Sequence, residues 1–286
     1  MRERQNIMTI FSTFLPHRSV VRISGSDRRA FLQGLISNDV GQTAFYAALL
    51  TPQGKFLHDL FVLDFEDACW ADCEAARIED LLQRLTAYKL RSKVTFENLG
   101  EAFAVGAVWG GAYEAMRSFA DPRLPELGMR VFVEKGKSLD AAPAPFEDYD
   151  RHRLQLGVGD GSRDMEVGKA TLVEGNFDFL NGVDWKKGCY IGQELTARMH
   201  YRGLAKKRLF PVKIEGTSPG TGALIYRGAN EAGEMRSSQG DCGLALLKIE
   251  AVEAALAQKE PLICGETRLW PSIPAWMKID AANANR

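Results

Sequence analysis

The sequence contains no run of 18 or more apolar residues, so no segment is long and apolar enough for a membrane-spanning helix. The start, MRERQNIMTIF, lacks the apolar core and small-residue cleavage site of a signal peptide. Too few residues precede chain that looks folded at Phe31 for an Arg- and Ser-rich presequence. A soluble cytoplasmic protein is expected. Net charge is nearly absent: 36 basic residues against 37 acidic leave −1, which provides no global field to gather nucleic acid or an anionic membrane. Any anion site must therefore be local. Cysteine is scarce, with five in 286 residues and no C-x-x-C, which excludes a secreted disulfide scaffold and argues against a protein-held zinc or iron-sulfur centre. The four histidines show no ligand spacing, and G-x-S-x-G, H-E-x-x-H, Walker and kinase patterns are missing. Hydrolase and phosphotransferase chemistry thus has no foothold.

What is present is 45% hydrophobic residues, enough for a sizeable core in a chain of about two domains' length. Residues 20–36 (VVRISGSDRRAFLQGLI) read as strand, turn and short helix, with Ser26 or Asp27 as cap. Residues 43–64 hold two apolar runs joined by Pro-Gln-Gly-Lys, the pattern of a hairpin. Apolar positions 78, 81, 82, 85 and 88 mark an amphipathic helix, followed by the strand-like runs KVTFENL and AFAVGAVWG and then by a Pro-interrupted stretch at 118–147 that contains the strand-like MRVFVE. A helix is expected over 147–156. After Gly203 short β-type runs recur among glycines and prolines, as in a small barrel or sandwich.

Four places draw attention for chemistry. In WKKGCYIGQELTARM, Lys186 and Lys187 precede Cys189, and Gln193 and Glu194 open a helical run just beyond Gly192. A thiol has a pKa of about 8.5 and becomes nucleophilic at neutral pH when positive charge or a helix N-terminus stabilises its thiolate. The bland alternative is a small buried hydrophobe, as most lone cysteines are. Glu174, read as the end of an apolar strand in KATLVEGNF, could accept paired hydrogen bonds from adjacent ring N–H donors, or could be a solvated turn residue. His58 and Asp59 stand mid-strand, where alternation would turn one of them inward, as hydrogen-bonded structure or as a site residue. The segment from Arg198 to Arg208 is the densest basic stretch, either an anion or docking patch or a solvated edge.

FLQGLISNDV, ALLTPQGKFLHDLFVLDF, YKLRSKV and above all LVEGNFDFLNGVDWKKGCYIGQELTARMHYRGLAKKRL resemble the YgfZ family of folate-binding proteins, bacterial relatives of a mitochondrial iron-sulfur assembly factor. That family lies in the superfamily of the glycine-cleavage T-protein, a tetrahydrofolate-dependent aminomethyltransferase. The resemblance implies an α+β, three-domain ring-like arrangement. Residues 1–44 plus 116–200 would form a split folate-binding domain, 45–115 an inserted α+β domain and 201–286 a C-terminal β-barrel. It implies tetrahydrofolate as ligand, with Glu174 on the pterin and Lys187, Gln193, Arg198 and Asn38 contributing to the folate site. Cys189 and Asp59 would be the catalytic positions. Asp59 matches the T-protein's catalytic aspartate but follows His58 instead of a second Asp, and T-proteins lack the K-G-C signature. The implied function is therefore a monomeric accessory factor for assembly or repair of iron-sulfur clusters in client enzymes, including radical-SAM tRNA-modifying ones. Its partners would be reduced folate and clients or assembly proteins, with no membrane or direct nucleic-acid contact. A folate-dependent aminomethyl or one-carbon transferase is the alternative.

Overall fold

A computed structural model describes residues 9–278; the opening segment MRERQNIM, used above in reading the N-terminus, lies outside the described residues. The chain divides into two compact units. The first holds the described residues through Phe31, then Gly41–Phe45 and Leu60–Tyr149; the second holds Leu32–Val40, Tyr46–Asp59 and the described residues from Asp150 onward. No helix among the described residues is long and apolar enough to cross a membrane.

The first unit begins with β1 (Phe11–Phe14), β2 (Arg18–Ser24) and α1 (Arg28–Gln33), the last of which ends in the second unit. The hairpin strands β3 (Ala44–Leu50) and β4 (Phe56–Asp64) also run through the boundary. β5 (Ala68–Glu74), α2 (Ile78–Lys89), β6 (Thr95–Asn98), β7 (Phe103–Trp109), β8 (Ser118–Ala120), β9 (Met129–Glu134) and β10 (Ala142–Pro143) follow. They make two five-stranded sheets, ordered β3-β4-β5-β2-β6 and β10-β1-β7-β9-β8. The β-branched run of β2 pairs antiparallel with β5, Val21 opposite Ala71, and has no exposed residue. α2 buries Ile78, Leu81 and Leu85, the three-and-four spacing that its sequence carried.

A buried network built on two carboxylates joins the sheets of this unit, the crossing being made between Asp72 and Arg130. Asp72 on β5 accepts from Arg18 Nε at 2.5 Å and from Arg130 Nη1 of β9. Asp121, just after β8, accepts from Arg123 Nε at 2.9 Å and Arg130 Nε at 3.0 Å. All three guanidinium groups lie over the ring of Phe61, Arg130 at 3.4 Å from its centroid.

In the second unit, α3 (Phe146–Gln155) enters from the first, and a long irregular stretch leads to α4 (Gln193–Tyr201). Then come β11 (Lys207–Glu215), β12 (Leu224–Arg227), β13 (Asn230–Gln239), β14 (Cys242–Lys248), α5 (Ile249–Gln258), β15 (Leu262–Cys264) and β16 (Thr267–Pro271). The six strands close a barrel in the order β11-β14-β13-β12-β15-β16, filled by Phe210, Val212, Ile225, Met235, Leu247 and Leu269. Gly233 is needed where β13 meets β14, because its φ is +154° and a Cβ there would stand 2.0 Å from Leu246 O. α5, which buries Ala251, Val252 and Ala255, was not foreseen among the β-type runs. Arg153 ties α3 to the barrel, donating from Nε to Asp150 at 2.7 Å, from Nη1 to Asp164 at 2.7 Å and from Nη2 to Ser237 Oγ on β13 at 2.8 Å.

Two expectations about local structure change. KATLVEGNFDFLNGV is a succession of tight turns, not a strand. Its buried residues, Leu172, Val173, Phe177 and Leu180, recur at helical spacing, and Asn176 and Asn181 take left-handed φ of 61° and 54°, which no strand allows. His58 and Asp59 are both 1% exposed, because β4 is buried along both faces and alternation there separates two interiors instead of core and solvent.

Candidate functional site

Cys189 stands on a loop that the second unit pins at several points. Asp184 N donates to Ser37 O at 3.1 Å and Ile191 N to Gly34 O at 3.2 Å, so both ends rest on the segment after α1. Asp184 Oδ1 accepts from the N–H groups of Lys186 (2.6 Å) and Lys187 (2.9 Å), the Asx arrangement that turns the chain sharply. Gly192 opens α4 with φ +80°, packed so closely on the β3–β4 turn that a Cβ would lie 2.5 Å from Thr51 O. Between these anchors the chain rises, and Cys189 is exposed while Cys69, Cys73 and Cys264 are buried and Cys242 is half-buried. An inert buried thiol is thus not what occupies this loop. Beside it, the space where a Gly188 Cβ would project is empty to 4 Å.

The two lysines differ. Lys186 is exposed. Lys187 folds back, its ammonium donating to Ile36 O at 2.6 Å and Asn38 O at 2.7 Å and lying 5.2 Å from the centre of the Tyr190 ring. Its charge is thus directed to backbone carbonyls, not reserved for a thiolate. Burial lowers the Lys187 pKa from 10.5 to about 8, opposed by the nearby carboxylates of Asp39 and Asp184. Between those values the unfolded chain keeps a proton that the folded chain has released, so stability contributed by this group increases as pH rises through the window. Urea unfolding at several pH values from about 7.5 to 10 is expected to show this increase in wild type and not in Lys187→Met. Parallel pH dependences in the two proteins would contradict the assignment.

Trp185, at the foot of the loop, stacks on His200 of α4 with centroids 3.8 Å apart, and Tyr201 approaches its edge. Asp178 lies 3.8 Å from His200 Nδ1 and receives both Nη groups of the buried Arg208, at 2.9 and 2.8 Å. Arg208 Nη1 also reaches Val173 O at 2.7 Å, fastening the turns around Glu174 to β11. No single position signals this chain, since its members are spread over 35 residues between Val173 and Arg208.

Glu174 is half-buried, and its Oε2 accepts from Thr171 N and Thr171 Oγ1, both at 2.8 Å, while Glu174 N points at Thr171 Oγ1 at 3.4 Å. This is a reciprocal T-x-x-E capping box, and its two side-chain members are the first and last residues of TLVE. A carboxylate has about four acceptor positions, and Thr171 takes two on one oxygen, which fixes the plane of the group and leaves the lone pairs of Oε1. An oriented, half-exposed acceptor of this kind fits a ligand ring bearing N–H donors.

The remaining predicted residues fall in different places. Asn38 meets Lys187 through its backbone carbonyl, while its side chain braces the turn, donating to Tyr46 O and Asn181 O, each at 2.7 Å. Gln193 is the first residue of α4 and half-buried; Arg198, one turn on, is exposed beside Glu194 at 3.8 Å. Asp59 is buried in β4. Among the described residues no group of three His, Cys, Asp or Glu side chains is arranged to hold a metal ion.

A mixed α+β chain ending in a six-stranded closed barrel has the aminomethyltransferase T-protein fold. The structure matches that of the glycine cleavage system aminomethyltransferase T from Bartonella henselae with a TM-score of 0.71 over 94% of this chain and 87% of that one, at 13% sequence identity. Residues 206–279 match the C-terminal beta-barrel domain of CAF17. The human mitochondrial iron-sulfur cluster assembly factor IBA57 is 32% identical over 305 residues, which cover 92% of this chain and 84% of that protein. Its mouse counterpart is 33% identical over 85% of this chain and 78% of the relative. A Mycosarcoma maydis homolog is 34% identical over 72% of this chain and 58% of its own length. The chain belongs to the IBA57 family of iron-sulfur cluster assembly factors.

Proposed function

We propose that this protein is a tetrahydrofolate-binding accessory factor that supports assembly or repair of iron-sulfur clusters in client enzymes, radical-SAM tRNA-modifying enzymes among them, through the thiol of Cys189. The observation that carries the reading is the exposure of Cys189 on a loop braced at both ends. A thiol held outward suits reaction with a macromolecule, whereas one-carbon transfer between small molecules calls for enclosed, positioned carboxylates and has no use for it. Glu174 would hold the pterin through its free acceptor positions, with Gln193 and Arg198 nearby in sequence on α4 as further folate contacts. When bound, reduced folate would supply one-carbon or redox chemistry; the chain's own residues bind, orient and present. Five cysteines without a disulfide among them suit a reducing compartment, in keeping with a cytoplasmic location.

The experiment for the folate part is titration calorimetry with a stable reduced folate. Wild type is expected to bind, Glu174→Gln to bind on the order of tenfold more weakly or worse, since a charge-assisted pair is lost, and Cys189→Ser to bind as wild type. Absence of any affinity in wild type, or equal affinity in Glu174→Gln, would sink it. The buried Asp59 favours aminomethyl transfer as the second reading. Under that reading Asp59→Asn would abolish function and Cys189→Ser would spare it.

A further inference from the structure

We propose that Lys187 is the positioning residue for the Cys189 thiol, its ammonium clamping the loop to the turn at Ile36–Asn38 so that the thiol is carried outward. The proposal rests on the reading of Cys189 as the reactive group. Cys189 lies between Lys187 and Tyr190 in sequence, and those two side chains meet, with the ammonium 5.2 Å from the ring centre. The stretch from 187 to 190 is therefore closed across its base, with Gly188 and Cys189 at its crest, both exposed. The same ammonium bridges Ile36 O and Asn38 O, 151 and 149 residues away in sequence. The other ties, Asp184 N to Ser37 O and Ile191 N to Gly34 O, are single neutral hydrogen bonds, whereas Lys187 makes two charge-assisted ones in a half-buried setting. Among the described residues it is thus the one side chain that ties the loop to two carbonyls of that turn at once.

The charged and titratable groups around the amine are Asp39, Asp184 and Tyr190; burial disfavours the charged form, the two carboxylates offset part of that cost, and the carbonyls of Ile36 and Asn38 accept from the amine. Asn38 has a matching part: its side chain secures the turn whose carbonyl Lys187 uses. Lysine suits the position because its long stem ends in a head with three donors; methionine keeps an unbranched stem and removes the donors.

The test uses the full chain and three variants, Lys187→Met, Lys187→Arg and Cys189→Ser. Backbone hydrogen exchange is read by mass spectrometry over 184–191 and over the barrel, alongside cluster-enzyme activities in a deletion strain carrying each variant. In Lys187→Met, protection at Asp184 and Ile191 is expected to fall on the order of tenfold or more, the worth of a charge-assisted hydrogen bond, with barrel protection unchanged and client support lost. Lys187→Arg, which keeps charge and donors, is expected to recover protection and support together. Wild-type protection in Lys187→Met, or full support despite a loosened loop, overturns the proposal. Loss of barrel protection as well would make Lys187 a general stability residue and overturn it too. Full support by Cys189→Ser would instead remove the reading beneath it, a result separable because loop exchange reports the clamp by itself.

Discussion

Asp121→Asn is expected to destabilise the first unit by about 3–5 kcal/mol, the usual result of removing one partner from a buried ion pair. Asp121 is 3% exposed and serves two guanidinium groups, taking Arg123 Nη2 at 2.8 Å and Arg130 Nε at 3.0 Å. Burial by itself pushes its carboxyl pKa up; Arg123 and Arg130 more than reverse this and hold it at about 2, below the ordinary 3.8. Asparagine keeps the shape but withdraws the charge, leaving Arg130 to Asp72 alone and two cations against a depleted counter-charge. Because the folded pKa is depressed, the stabilisation is fully present above about pH 4 and is lost as pH falls through the folded value near 2. The comparison is the exposed pair Arg22–Asp67 at 2.8 Å, where solvent screens the charges and Asp67→Asn is expected to leave the unfolding midpoint close to wild type. Urea unfolding of the full chain, followed by a probe in the first unit, measures both. Equal small losses would contradict the buried network as the tie between the two sheets.

How far the sequence discloses this molecule depends on whether a feature is local. α2 could be read because Ile78, Leu81 and Leu85 repeat at helical spacing, and the β3–β4 hairpin because its turn chemistry lies between two apolar runs. α5 is masked in the sequence by the β-type runs around it, although Val252 and Ala255 keep the same period. The apolar run before Glu174 has the look of a strand, whereas Thr171 and Glu174 carry the capping box of the turns that form there. Position 189 was legible as a thiol beside cations. What the cations do was not, because Lys187 finds its acceptors about 150 residues earlier, and only the fold brings Ile36 and Asn38 within reach. His58 and Asp59 show the converse, a correct sense of unusual polar residues in a strand with the wrong count of buried faces.

The largest functional effect is expected at Cys189. Serine is nearly the same size, the side chain is exposed, and the loop is held by Asp184, Lys187 and Ile191 through atoms that the substitution leaves alone. Cys189→Ser should therefore fold and unfold at the wild-type denaturant midpoint. Only chemistry that needs sulfur is removed: a serine hydroxyl is neither a thiolate-forming nucleophile at neutral pH nor a soft metal ligand. Such a separation of stability from function distinguishes a presented thiol from a packing residue.

The most direct measurement is the activity of cluster-dependent enzymes, including a radical-SAM tRNA-modifying enzyme, in a strain lacking this protein and rescued by wild type or by Cys189→Ser at equal protein level. Restoration by wild type with no restoration by Cys189→Ser is the expected result. Restoration by both would contradict a functional role for the thiol and favour the reading that rests on the buried Asp59.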